Sequence, residues 1–182
     1  MKLLVVLERH LQALIRVLGQ SIAWLTFIMV ILTCLIVLLR YGFNLGWIWL
    51  QELVLYMHAA VFMLGVSYAF QKDQHVRVDI FYRSFSAKTK HLVNLFGHIF
   101  LLFPVSILIL WFSWDYVAMS WHIKESSPET GGLPFVYLLK SLVPMMSLLL
   151  MIQGVASFSG CILALYRIKH ETNDKEDKAW NG

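Results

Sequence analysis

The chain has 182 residues, of which 59% are hydrophobic and 14% charged, and its formal net charge is +4. Once the apolar stretches are set aside, that balance leaves almost no sequence for a water-exposed enzyme domain. The basic residues lie in short segments beside apolar runs, which reads as a membrane orientation signal and argues against nucleic acid as a partner.

Four stretches, 21–39, 53–71, 92–114 and 141–166, contain no Asp, Glu, Lys or Arg. A hydrocarbon core of about 30 Å takes about 20 helical residues at 1.5 Å each, so each stretch predicts a membrane-spanning helix. The expected fold class is an all-α integral membrane protein with four transmembrane helices and amphipathic segments at its N-terminus and inner loop. Residues 1–170 form a single membrane domain on this reading, and 171–182 a disordered, solvated tail. Lys2, Arg9 and Arg16, the five cations of the middle connection and the four of the tail sum to twelve, against Arg40, Lys124 and Lys140 elsewhere. Lys and Arg near span ends favour the cytoplasmic side, so both termini are expected there.

In chain order, residues 2–18 place Leu4, Leu7, Leu11, Leu14, Ile15 and Leu18 three and four apart. This spacing fits an amphipathic helix on the inner leaflet, with a bend at Gly19, or a cytoplasmic extension of span one. Span one has no cleavage site of the secretory type and is expected to stay as an anchor. Cys34 in span one and Cys161 in span four lie toward opposite membrane faces and read as small packing residues. After Arg40, the rings of Tyr41, Trp47 and Trp49 occupy the interfacial belt, as do Trp111, Trp114, Tyr116 and Trp121 after span three. Glu52 stands at the outer mouth of span two, within hairpin reach of Arg40.

Further on, Ser86 is positioned to cap the third helix. The connection from Asp115 to Lys140, with Ser126, Ser127, Pro128, Gly131, Gly132 and Pro134, is a turn-rich outer loop. Pro134 is expected to open the next helix and Pro144 to kink it. In span four, Ala156 and Gly160 are four apart and invite a close helix, and Gln153 beside them needs a hydrogen-bonding partner.

Nucleotide-binding glycine loops, metal-spaced cysteine pairs and paired intramembrane carboxylates are missing, which predicts a non-enzyme without cofactors. The alternative is a cytochrome b-type haem subunit of a redox enzyme, since His58 and His98 lie in spans two and three. Span two runs inward and span three outward, so the two histidines are expected about 13 Å apart in depth, too far to clasp one iron.

Arg40-Tyr41, Trp49, Glu52, Gly65 and the run His75-Val76-Arg77-Val78-Asp79, with Lys140 and Pro144 later, resemble the small membrane subunit of tripartite ATP-independent periplasmic (TRAP) transporters. Gln51 departs from relatives that carry a second acidic residue before Glu52. The resemblance implies a bacterial inner-membrane, non-catalytic subunit of a secondary transporter for organic acids driven by sodium symport. It also implies two partners besides membrane lipid: a large multi-span permease subunit that moves the substrate, and a periplasmic solute-binding protein. On that basis Trp47, Trp49, Glu52, Pro134, Lys140, Gln153 and Gly160 are candidate partner contacts. Arg40, His75, Arg77 and Asp79 form the structural motif, with Arg77 and Asp79 a candidate ion pair.

Overall fold

A computed structural model describes the backbone of residues 2–72 and 85–180 and the side chains of 5–72 and 85–170. His75, Arg77 and Asp79 lie outside the described residues, as does their expected ion pair. The described chain is helical without strands: α1 (Lys2–Phe43), α2 (Ile48–Gln71), α3 (Ala87–Gly97), a π-helical segment (His98–Leu102), α4 (Phe103–His122) and α5 (Val136–Trp180). Four rods, Val5–Phe43, Ile48–Gln71, Ala87–His122 and Val136–His170, are long and apolar enough to cross a membrane. All four therefore extend beyond the charge-free stretches that announce them.

Helix α5 is the core of the assembly. It packs against α1, α2, α3, the π segment and α4, whereas α1 and α2 pair with each other on one of its sides. In the most apolar window of each rod, 39% of α5 is buried but only 6% of α1 and of α2. A lipid-exposed protein needs no oily interior, so close approach between helices comes from small and hydrogen-bonded residues. The buried set of α5 largely follows suit: Ser147, Gln153, Gly154, Ala156, Ser159 and Cys161, with Leu163 its large apolar member. On the facing side of α4, Ser106, Ser113 and Ser120 are buried and seven residues apart, two turns of one helix face. The Ser147 hydroxyl donates to the Ser106 carbonyl, and that of Ser113 returns to Leu110 in its own helix at 3.3 Å.

Local chemistry explains the helix ends and the irregularity. Ser86 caps α3 by accepting from the Thr89 N–H at 3.2 Å, as expected. Pro104 has no N–H to offer one turn back, and just before it the Phe103 N–H reaches five residues to the His98 carbonyl. The π segment ends there, and the side chains of its Leu102 and of Phe103, the first residue of α4, lie over Gly154 of α5. A Cβ at Gly154 would come within 2.6 Å of Leu102 Cδ2.

Several sequence expectations change. The N-terminal segment extends span one: α1 is one continuous helix of 42 residues, about 63 Å long. Gly19 is a point of close approach rather than a bend, since a Cβ there would meet Tyr68 Cγ at 2.2 Å. Pro134 precedes α5 without opening it. The backbone of α5 is helical to Trp180. The sequence there puts Glu171 and Asp174 four residues ahead of Lys175 and Lys178, a spacing that favours helix. Cys34 is exposed, Cys161 buried, and both are free thiols.

Candidate functional site

The end of the molecule that carries the 44–47 and 123–135 connections is organised by two carboxylates. Helix α4 finishes with Lys124 in the left-handed region (φ 49°), and the Glu125 N–H turns back to the Ser120 carbonyl at 3.1 Å. This turn aims Glu125 at α5, where the Val136 N–H donates to its carbonyl at 3.1 Å and Lys140 Nζ to its Oε2 at 2.6 Å. Lys140 Nζ also lies 4.1 Å from the Tyr116 ring centroid, so one ammonium joins α4, the loop and α5. Lys124 Nζ covers the rings of Trp121 and Tyr137 at 4.9 and 5.2 Å, and Trp121 Nε1 donates to Ser141 Oγ at 2.8 Å.

Glu52 supplies the second tie. From the second turn of α2 its Oε2 accepts the Leu133 N–H at 2.6 Å, and its Oε1 accepts the Ser127 hydroxyl. The loop bends to meet it through Gly131, whose φ of 82° favours glycine. Next to it, a side chain at Gly132 would come within 2.8 Å of Glu52 Oε1 and 2.5 Å of Ser127 Oγ. The anticipated Arg40–Glu52 pair is thus replaced by a carboxylate-to-loop clasp. Arg40 instead lines a shallow cleft with Asn44, Gly46 and Gln51.

Bonding from the Lys140 ammonium holds the Glu125 carboxyl below its ordinary value of 4.5. A lowered folded value means that the pair stabilises the fold above the ordinary carboxylate range and ceases to do so as pH falls through the lowered value. Acidification below pH 4.5 is therefore expected to reduce the melting temperature of the wild type more steeply than that of Glu125→Gln. Equal slopes in paired thermal melts would refute this role of the pair.

Of the candidate partner contacts, Trp47, Trp49 and Pro134 are exposed, while Glu52 and Lys140 are half-buried and engaged within the chain. Gln153 and Gly160 turn inward. Gln153 is 2% exposed with Nε2 on Ser157 Oγ at 3.1 Å, and a Cβ at Gly160 would meet Glu8 Oε1 of α1 at 2.8 Å. The serine row of α4 and the π segment do not figure among the sequence expectations. The seven-residue recurrence of serine and the proline in span three were their visible signals.

The haem geometry is disfavoured by position. The His98 ring packs edge-on to Phe70 at 5.8 Å between centroids, and Nδ1 bonds to the Asn94 carbonyl. His58 precedes Phe70 by twelve positions in α2, about 18 Å of helix. Among the described residues, no group of three or more His, Cys, Asp and Glu could hold a metal ion.

What these features define is a multi-pass membrane protein built around one central helix, with Asp, Glu, Lys and Arg kept out of its four apolar stretches. The family model described as tripartite ATP-independent periplasmic transporters, DctQ component, matches residues 29–163. The chain belongs to that family and is a small permease subunit of a TRAP transporter. No curated protein and no solved structure matches it.

Proposed function

We propose that this chain is the non-transporting, non-catalytic brace of its transporter, holding a large permease subunit that carries an organic acid with sodium. The observation that carries this reading is the distribution of charge: the four apolar stretches hold no Asp, Glu, Lys or Arg. Coupling ions to solutes usually requires buried ionisable groups, broken helices or exposed carbonyls at membrane depth. The ties through Glu52 and Glu125 support a rigid support element, because they join α2, α4, the loop and α5 at one end. Twelve-to-three partition of Lys and Arg supports placing both termini in the cytoplasm and the clasped loop outside. There the exposed Trp47, Trp49 and Pro134 flank a surface suited to docking the periplasmic solute-binding protein.

Reconstitution tests this directly. Vesicles containing this chain alone are expected to accumulate no organic acid under an inward sodium gradient. Vesicles that also contain the large subunit and receive the binding protein are expected to do so. Uptake by the chain alone would overturn the reading.

A further inference from the structure

The exposed positions of α2 fall on one line. Apart from Trp49, they are Ile48, Gln51, Leu55, His58 and Phe62, three and four residues apart and hence on one face. The next position in that series is Gly65, where the space a Cβ would occupy is open. Elsewhere α2 is partly or fully covered, with α1 and α5 packed against it.

His58 is the unusual member of the stripe. It lies ten positions into the helix, about 15 Å along its axis, and is exposed without a hydrogen-bond partner among the described residues. An imidazole left against lipid tails keeps an unpaired N–H in hydrocarbon, which is why ionisable groups at such depth normally face protein or a water-filled cavity. Thr33, also exposed, meets this need internally through the Met29 carbonyl at 2.8 Å. The exposed face of α4 formed by Val105, Ile107, Leu108 and Phe112 is apolar and suits lipid. Two turns from His58, Gly65 leaves a notch that admits the backbone of another helix.

We propose that this stripe of α2 docks a transmembrane helix of the large permease subunit, and that this helix presents a hydrogen-bonding side chain or free carbonyl opposite His58. The inference rests on the accessory-subunit reading above.

The test uses the chain co-expressed with its large subunit in native membranes. Benzoyl-phenylalanine at Phe62 is expected to give an adduct containing large-subunit peptides by mass spectrometry, and at Phe112 to give none. His58→Leu is expected to lower the co-purified large subunit about three- to tenfold, whereas His58→Gln, which keeps a donor and an acceptor, stays within about twofold of wild type. Gly65→Leu is expected to lower it at least as far as His58→Leu. Thermal melts of each variant chain alone separate lost docking from lost folding. Wild-type capture of the large subunit with Phe62 adducts to lipid only, or to a second copy of this chain, overturns the docking face and leaves the brace intact. Failure of the wild type to capture the large subunit overturns both.

Discussion

Gly19→Val is expected to lower the melting temperature of the detergent-purified protein by about 6–12 °C, corresponding to about 3 kcal/mol of overpacking. At this crossing of α1 and α2 a Cβ would lie 2.2 Å from Tyr68 Cγ, 2.5 Å from Cδ2 and 2.6 Å from Tyr68 Cβ. A change of the tyrosine χ1 rotamer moves Cγ and Cδ2 away but not Cβ, because Cβ moves only with the backbone. The helices must therefore separate. That also strains the neighbouring bond from Gln71 Nε2 to the Gln12 carbonyl, 2.7 Å in the native packing. Tyr68→Gly removes all three clashing atoms, so the double variant Gly19→Val/Tyr68→Gly should regain a substantial part of the loss despite the added helix-interior glycine. A single variant that melts within about 1 °C of wild type would show that the crossing is looser than its geometry implies.

Glu52→Ala is expected to release the 123–135 connection, with the Leu133 amide exchanging hydrogen about 10- to 100-fold faster. A hydrogen bond to a charged acceptor contributes about 1.5–3 kcal/mol, and Glu52 accepts from both the Leu133 N–H and the Ser127 hydroxyl. Glu52→Gln keeps one acceptor oxygen and should fall between alanine and wild type. Gly132→Ala reaches the same result from the other side, since its methyl would press on Ser127 and the Glu52 carboxylate. Trypsin after Lys124 offers a second readout of loop release. Unchanged Leu133 exchange in Glu52→Ala would mean that the loop holds its shape without the clasp.

Much of the architecture was readable before any coordinates, and for local reasons. Span number follows from runs without Asp, Glu, Lys or Arg, because a charge in hydrocarbon is costly wherever it falls. Ser86 was legible as a cap because its bond partner, Thr89, is three residues away. By contrast, Glu52 looked available to Arg40 because hairpin proximity is all that a sequence reveals, whereas its true partners stand 75 and 81 residues further on. Gly19 read as a hinge for the same reason: glycine permits both a bend and a close approach, and only Tyr68 on another helix distinguishes them.

What this sequence determined by itself is its solvent, its four crossings and its family, since hydropathy, charge placement and motif spacing are properties of short stretches. Tertiary structure alone decided that α5 is the hub, that Gln153 and Gly160 serve the chain's own packing, and that His58 is left facing outward. Those outcomes depend on where helices distant in sequence cross, and the crossing points are set by side-chain volumes and hydrogen bonds on both partners together.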